Sequence, residues 1–386
     1  MQKINNNPKH WQIKYLKDLC KEVGEYGLNY PAVPFSPTLP LYLRITDITD
    51  QGTFSTEHKA SVNYNGSEKL LNKNDFLFAR TGATVGKTYL HISEKIGKVA
   101  FAGYLIRFVL DQNKMHPYFL ALYCQTINYW NWVKIYSIRS GQPGISAEEY
   151  GKLPIPCPPI KEQQKIVEVL ETWDKAIGLT KRLIEQKELQ KKYLMQQLLI
   201  GRTRLKGFTD KWENVRLKQL CSIQKGQQLN ANTLTKNGKY ACLNGGIIPS
   251  GYTTKWNTEA NTISISEGGN SCGYVNWNDS RFWAGGHCYT LANVKISNSF
   301  LYFVLKNKEG HIMNLRVGSG LPNIQRPSLE KLLLKIPSAQ KEQQDIAQVL
   351  SSCDKEIDLL KQKLAKLEEQ KKGLMQVLLT GKVRLM

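Results

Sequence analysis

Acidic residues are scarce in this chain: 32 Asp and Glu stand against 53 Lys and Arg, giving a formal net charge of +21 and an isoelectric point near 9.5. A soluble intracellular protein with that excess usually meets a polyanion. Generic solubility is the competing account. Long apolar runs are missing as well. None approaches the ~20 residues a membrane-spanning helix needs, and the opening stretch MQKINNNPKHW lacks the apolar centre of a secretory signal. The eight cysteines (20, 124, 157, 221, 242, 272, 288 and 353) include no Cys-x-x-Cys pair, which argues against a disulfide framework or a zinc ribbon. These absences fit a reducing cytoplasm, where the chain is expected to reside. With 41% hydrophobic and 10% aromatic residues over 386 positions, the chain has material for two or three packed domains.

What is present is a duplication. Residues 161–205 and 341–385 match at a constant offset of 180, without a gap, at 24 of 45 positions. A period this long is not a solenoid repeat but a domain plus a helix copied once. Proline precedes each copy, and Gly201 and Gly381 stand where a helix should stop. In the second copy apolar residues recur at Ile346, Leu350, Cys353, Ile357, Leu360, Leu364, Leu367, Leu374 and Leu378, a heptad seam broken by Lys371. In the first copy the seam runs Ile166, Leu170, Trp173, Ile177, Ile184, Leu194 and Leu198, with Thr180, Lys187 and Lys191 as polar interruptions. Two such helices, each ~55–60 Å long, most simply pack on each other.

The segments before the helices are related more faintly. WQIKYLKDLC (11–20) parallels WENVRLKQLC (212–221), and SGQPGIS (140–146) parallels SGLPNIQ (319–325). Between these marks lie short strand-like runs such as DFLFA, YLIRFVL, TISIS and CYTLANV. The basic surplus is largest in these segments, 18 against 12 acidic over 1–160 and 16 against 7 over 206–340. The expected organisation is therefore a globular domain (1–160), a helix (161–205), a second globular domain (206–340) and a second helix (341–386). The helices stay alike while the domains diverge. That contrast suits helices with one shared task and domains that each recognise something different.

One stretch imitates a nucleotide-binding loop. ARTGATVGKTYL (79–90) has three residues between Gly82 and Gly86-Lys87-Thr88, where a P-loop has four. The residues after Lys87 are strand-like, whereas a P-loop opens a helix whose N-terminus meets the phosphates. The second half carries ISEGGNSCGYV at the corresponding place, with Gly269 and Gly273 but no Lys-Thr. A tight turn common to two related domains is the better reading. Cys242, Cys272, His287 and Cys288 match no zinc-finger spacing and have no counterpart in the first half. In NYWNWVKIY (128–136), Tyr129, Trp130 and Trp132 read as core aromatics in preference to a stacking platform for bases. No methyltransferase or nuclease motif appears.

The duplicated start Glu162-Gln163…Ile166…Leu170 and Glu342-Gln343…Ile346…Leu350 closes a Trp-led, β-rich domain and opens a long helix. In this it resembles the specificity subunit of type I restriction–modification systems, from Trp11 to Leu385. The second copy departs by having Pro337-Ser338-Ala339 in place of the Pro-Pro entry, which puts the geometry of that helix start in question. The resemblance implies an α+β architecture of two mixed α/β target recognition domains joined by two long helices in an antiparallel coiled coil, with internal pseudo-two-fold repetition. It implies that each domain reads one half of a bipartite double-stranded DNA target. The helices would set the half-site spacing and dock two methyltransferase subunits, to which two motor-nuclease subunits join. It further implies a chain that catalyses nothing and holds no cofactor or metal, these belonging to the partners. Half-sites about one ~34 Å DNA turn apart are within the reach of such helices.

Phosphate contacts call for Lys, Arg or open backbone amides, and base contacts for Arg on guanine and Asn or Gln on adenine. Candidates beside Gly- or Pro-bearing loops are Arg44, Arg80, Lys87, Arg139 and Gln142 in the first domain. In the second they are Lys225, Lys255, Asn270, Arg316, Asn323, Gln325 and Arg326. The SGQPG and SGLPN loops, shared by both copies, fit structural turns equally well. The rival reading of the whole chain is a coiled-coil adaptor between proteins, without DNA recognition.

Overall fold

The computed structural model describes residues 11–55, 57–92, 97–318, 320 and 322–385. Residues 1–10, most of the stretch MQKINNNPKHW, lie outside them, as do Ser319 and Leu321 of the second Ser-Gly loop. The chain folds into two compact units. One runs up to Leu179 and takes in the chain again from Leu364; the other is Thr180–Lys363.

In the first unit an antiparallel sheet has the order Cys20–Tyr26, Leu105–Leu110, Phe76–Ala79, Thr88–Leu90. Every residue of Phe76–Ala79 is buried, which is why that strand reads as an unbroken apolar run with no alternation. Helices Pro117–Tyr123 and Ile127–Tyr136 bring Phe119, Leu120, Tyr129, Trp132 and Val133 into the same core. A smaller sheet pairs Leu41–Leu43 in parallel with Val99–Phe101. The terminal strands Gln12–Tyr15 and Pro154–Cys157 close on each other.

The second unit repeats this order with other residues. Its main sheet runs Ser222–Lys225, Cys288–Ala292, Thr262–Ser266, Val275–Asn278. Tyr240–Leu243 pairs in parallel with Trp283–Ala284, while Trp212–Arg216 pairs antiparallel with Leu333–Pro337. Helix Asn298–Asn307 starts on a Ser297 cap and buries Phe300, Leu301, Phe303, Val304 and Leu305.

The long helices are Ile160–Leu198 and Gln340–Leu378, 39 residues each, hence ~58 Å of helix. Their identical length shows that losing the Pro-Pro entry does not displace the second helix start. Both stop at a glycine with positive φ, +72° at Gly201 and +66° at Gly381, where the next turn folds back on the last carbonyls. Arg202 N donates to Gln197 O at 3.0 Å, and Val383 N to Val377 O at 3.1 Å.

The helices pack antiparallel, and the polar interruptions of the seam explain their register. Lys187 meets Glu356 at 2.8 Å, Lys191 meets Asp354, and Lys371 meets Asp174 at 2.7 Å. Exposed pairs like these contribute ~0–1 kcal/mol each. Their value lies in alignment, since a slipped register would strand a lysine in the seam.

Each helix starts in one unit and ends in the other, so each unit's core is completed by the far end of the opposite helix. Leu378 and Leu379 pack with Ile166, Val167 and Leu170 in the first unit; Leu198 and Leu199 pack with Ile346, Ala347 and Leu350 in the second. Burying each such leucine contributes ~1.5–3 kcal/mol. The duplicated Glu-Gln motif fixes the same junction. Arg384 donates to Glu162 Oε1 at 3.0 Å and Oε2 at 2.8 Å, and Trp11 Nε1 donates to Oε2 at 3.3 Å. The equivalent Arg204 grips both oxygens of Glu342 at 2.5 and 2.7 Å. Gln163 accepts from His116 N at 2.7 Å and donates to Pro158 O at 2.9 Å; Gln343 accepts from Ser297 N at 3.2 Å and donates to Pro337 O at 2.9 Å. Glutamate thus holds the opposite helix end and glutamine holds the globular segment.

The two hydrogen bonds from Arg384 hold the Glu162 carboxyl below its ordinary range against the opposing effect of burial. A depressed folded-state value stabilises the fold fully above the unfolded carboxyl's ~4.3, and that stabilisation is lost as pH falls through the folded value. Arg384→Ala is expected to lower urea-unfolding stability at pH 7 by ~1–3 kcal/mol and to flatten the acid-side decline. An unchanged midpoint and acid limb would contradict the role given to the pair.

Candidate nucleic-acid interface

The P-loop imitation and the Ser-Gly-x-Pro loop are two sides of one backbone structure. In the first unit Gly82 N donates to Pro143 O at 2.9 Å, Ile145 N to Arg80 O at 2.9 Å, and Gly86 N to Ala79 O at 3.1 Å. In the second, Gly269 N donates to Pro322 O at 3.0 Å, Ile324 N to Glu267 O at 2.8 Å, and Gly273 N to Ser266 O at 2.8 Å. The pattern is the same bond for bond. Thr88–Leu90 after Lys87 is a strand, so the loop opens no helix.

Glycine is required where the loop returns. Gly86 and Gly273 have φ of +89° and +92°, and a Cβ on Gly273 would stand 2.9 Å from the Met313 backbone. Aromatics brace the first loop from within. Tyr129 Oη donates to Gly86 O at 2.6 Å, and Tyr150 Oη donates to Ala79 O at 2.8 Å while accepting from Gly86 N at 3.2 Å. Tyr129 and Trp132 are buried core residues, as expected, whereas Trp130 is exposed, against the core position expected for it. Cys242, Cys272 and Cys288 are also buried; Cys272 donates to Glu267 O at 2.9 Å, and burial pushes the Cys288 thiol up to about 12.

The eight cations among the sequence-predicted contact residues fall into two groups. Five cations already face carboxylates. Arg44 is bound by Asp47 at 2.8 Å, Lys87 by Asp50 at 2.8 Å, Arg139 by both oxygens of Glu149 at 2.7 and 2.6 Å, Lys225 by Glu267 at 2.7 Å and Arg326 by Glu330 at 2.7 Å. Where the acid is partly or fully exposed, as at Asp50, Glu149 and Glu330, such a pair is weak enough to exchange for a phosphate, whereas Asp47 and Glu267 are buried. Arg80, Lys255 and Arg316 have no carboxylate partner among the described residues. Arg80 lies 4.7 Å from the Tyr26 ring centroid, and Lys255 and Arg316 are exposed.

The loop pair gathers part of the set. Arg80, Arg139 and Gln142 stand on or beside it in the first unit; Lys225, Asn270, Asn323 and Gln325 do so in the second. Asn323 bridges Gly268 and Val317, and its Oδ1 accepts from Gln325 at 2.7 Å. Arg44 follows strand Leu41–Leu43 of the smaller sheet and caps the start of the turn Ile45–Asp47. Four residues beside the loop pair are absent from the contact candidates: Tyr26, Tyr104, Glu267 and His287, the last weighed only as a zinc ligand. Their only signal is the strand-ending glycine after Tyr26 and Lys225, Gly27 and Gly226.

The profile of the type I restriction modification DNA specificity domain matches residues 8–189 and 209–369, once in each half. A Mycoplasma genitalium protein provisionally named a type I specificity subunit is 36% identical over 152 residues, a stretch covering 39% of this chain and 39% of that one. The type I restriction enzyme MjaVIII specificity subunit of Methanocaldococcus jannaschii is 23% identical over 98% of this chain and 94% of its own. The crystal structure of a type I restriction–modification S subunit from M. genitalium superposes over 98% of both chains with a TM-score of 0.67 at 17% identity, a likeness of fold. Two matched domains, two clasped helices and one repeated loop pair lead to a single assignment: the chain belongs to the type I restriction modification DNA specificity family.

Proposed function

We propose that this chain is the sequence-reading subunit of a type I restriction–modification complex and itself catalyses no reaction. Its globular segments, 1–160 and 206–340, act as target recognition domains, each reading one half of a bipartite duplex target. The helical segments, 161–205 and 341–386, set the distance between half-sites and offer two equivalent surfaces to two methyltransferase subunits, with two motor-nuclease subunits joining the assembly. The observation that carries this reading is the contrast between repeated and varied parts. Clasps, helix lengths and loop backbones repeat, while the side chains around the loops do not. A duplicated frame with unlike faces is what two half-sites of different sequence require.

Lys255, Arg316, Lys87, Arg44, Arg139 and Arg326 are assigned to phosphates, and Arg80, Gln142, Lys225, Asn270, Asn323 and Gln325 to the groove side of the loops. The net charge of +21 suits a duplex ligand whose affinity is dominated by counterion release. Affinity for the cognate duplex, measured between 50 and 200 mM salt, should fall on the order of 10³-fold or more. Lys255→Ala or Arg316→Ala should weaken binding to all duplexes alike and reduce the salt slope by about 1. A salt-independent affinity would contradict DNA reading.

The genomic test is a methylome of a methylation-free host that expresses this chain with its adjacent methyltransferase. The expected result is two short specific blocks around a fixed gap. Deleting one heptad from each helix should shorten the gap or abolish modification. Methylation of the same motif without this chain would contradict the assignment.

A further inference from the structure

Backbone equivalence extends one step past the loop pair. Gly27 N donates to Leu105 O at 3.2 Å as Gly226 N does to Cys288 O at 2.8 Å, and Arg80 N donates to Tyr104 O at 3.0 Å as Glu267 N does to His287 O at 2.9 Å. Tyr26 faces Ile106 across its sheet as Lys225 faces Tyr289. Tyr26, Arg80 and Tyr104 therefore occupy the backbone positions of Lys225, Glu267 and His287.

The chemistry at these positions is inverted. In the first unit a guanidinium lies against Tyr26, beside a Tyr104 that is 60% exposed, and its Nε is buried without a hydrogen-bond partner. In the second unit a carboxylate takes that place and is 8% exposed. Its Oε1 accepts from Lys225 at 2.7 Å and from Tyr289 at 2.9 Å. Its Oε2 is buried with no hydrogen-bond partner, 3.6 Å from Nδ1 of His287, whose side chain is 62% exposed. Buried polar atoms without partners are uncommon in folded proteins. Here one sits at the same backbone position in both units, beside an exposed ring.

Resting on the half-site reading, we propose that these two triplets are base readers and that their inversion makes the half-sites different. Arg80, held against the Tyr26 ring, offers its terminal N–H groups to O6 and N7 of a guanine. In the second unit Glu267 Oε2 is placed to accept from Nδ1–H of His287, which in a neutral imidazole leaves Nε2 as a lone acceptor. That acceptor recognises an exocyclic amino group on the major-groove edge, cytosine N4 or adenine N6. Lys225 balances the charge of Glu267, so the acid does not repel the duplex.

The test expresses the complete chain with its methyltransferase and compares methylomes, together with binding to duplexes altered one base pair at a time. Arg80→Ala should relax a single guanine in one block, with loss of discrimination on the order of 10- to 100-fold, and leave the other block intact. Arg80→Lys, which keeps the charge but not the paired N–H groups, should relax the same position at retained overall affinity and so guards against misfolding. His287→Ala should relax one cytosine or adenine in the opposite block. Glu267→Gln, able to donate to Nδ1 and reverse the tautomer, should move preference at that position toward a keto-bearing base. Relaxation of the same block by Arg80→Ala and His287→Ala, or uniform weakening on every duplex, would overturn the triplets. A wild-type complex that methylates no bipartite motif would defeat the specificity reading itself, whereas a bipartite wild type with variants that leave both blocks as they were defeats only the triplets.

Discussion

The rest of the fold depends on an exchange of helix ends. Glu162, at the start of the first long helix, is held by Arg384, beyond the end of the second. Glu342 is held by Arg204 in the same way. Because the carboxylates are buried, each needs its arginine: an unpaired acid there would carry a desolvation cost of several kcal/mol. The requirement forces each unit to take in two leucines from the opposite helix, and it fixes the antiparallel register that Lys187, Lys191 and Lys371 then reinforce. A globular segment in this protein is finished only when both helices are in place.

With the ends so constrained, the globular segments are free to change at the loops. Their backbone hydrogen bonds persist where the side chains do not, since a main-chain pattern anchored by glycine and proline is indifferent to most neighbouring residues. Side chains can therefore vary at positions such as Arg80 and Glu267 without disturbing the frame. This division matches the chemistry of a bipartite target, in which spacing is a property of rigid elements and sequence a property of exposed groups.

Much of this was legible in the sequence and some was not, for identifiable reasons. The helices, their ends and their seam are dictated by a gapless offset of 180 and by heptad spacing. The same sequence could not say that the partner of Glu162 lies in the other copy, because both copies contain both residues. Among the globular segments the offset drifts from 201 at Trp11 and Trp212 to 179 at Ile145 and Ile324. Loops of unequal length hide the equivalence until backbone bonds reveal it. Contact candidates chosen by residue type and nearby glycine included Arg80 and Lys225 but passed over Tyr26, Tyr104, Glu267 and His287. An acid such as Glu267 looks like structure until its unpartnered oxygen is seen. Lys87, picked from the P-loop imitation, turns instead to Asp50 and the Ile48 carbonyl.

In the proposed function each globular segment reads its own block of DNA while the helices hold the distance. That function is tested most directly by the methylome of a chimera in which residues 212–337 are replaced by 11–157, so that the first segment is present twice on the native helices. The expected result is an inverted repeat of one block of the native motif, with a symmetric gap. Methylation that keeps the native second block would contradict it.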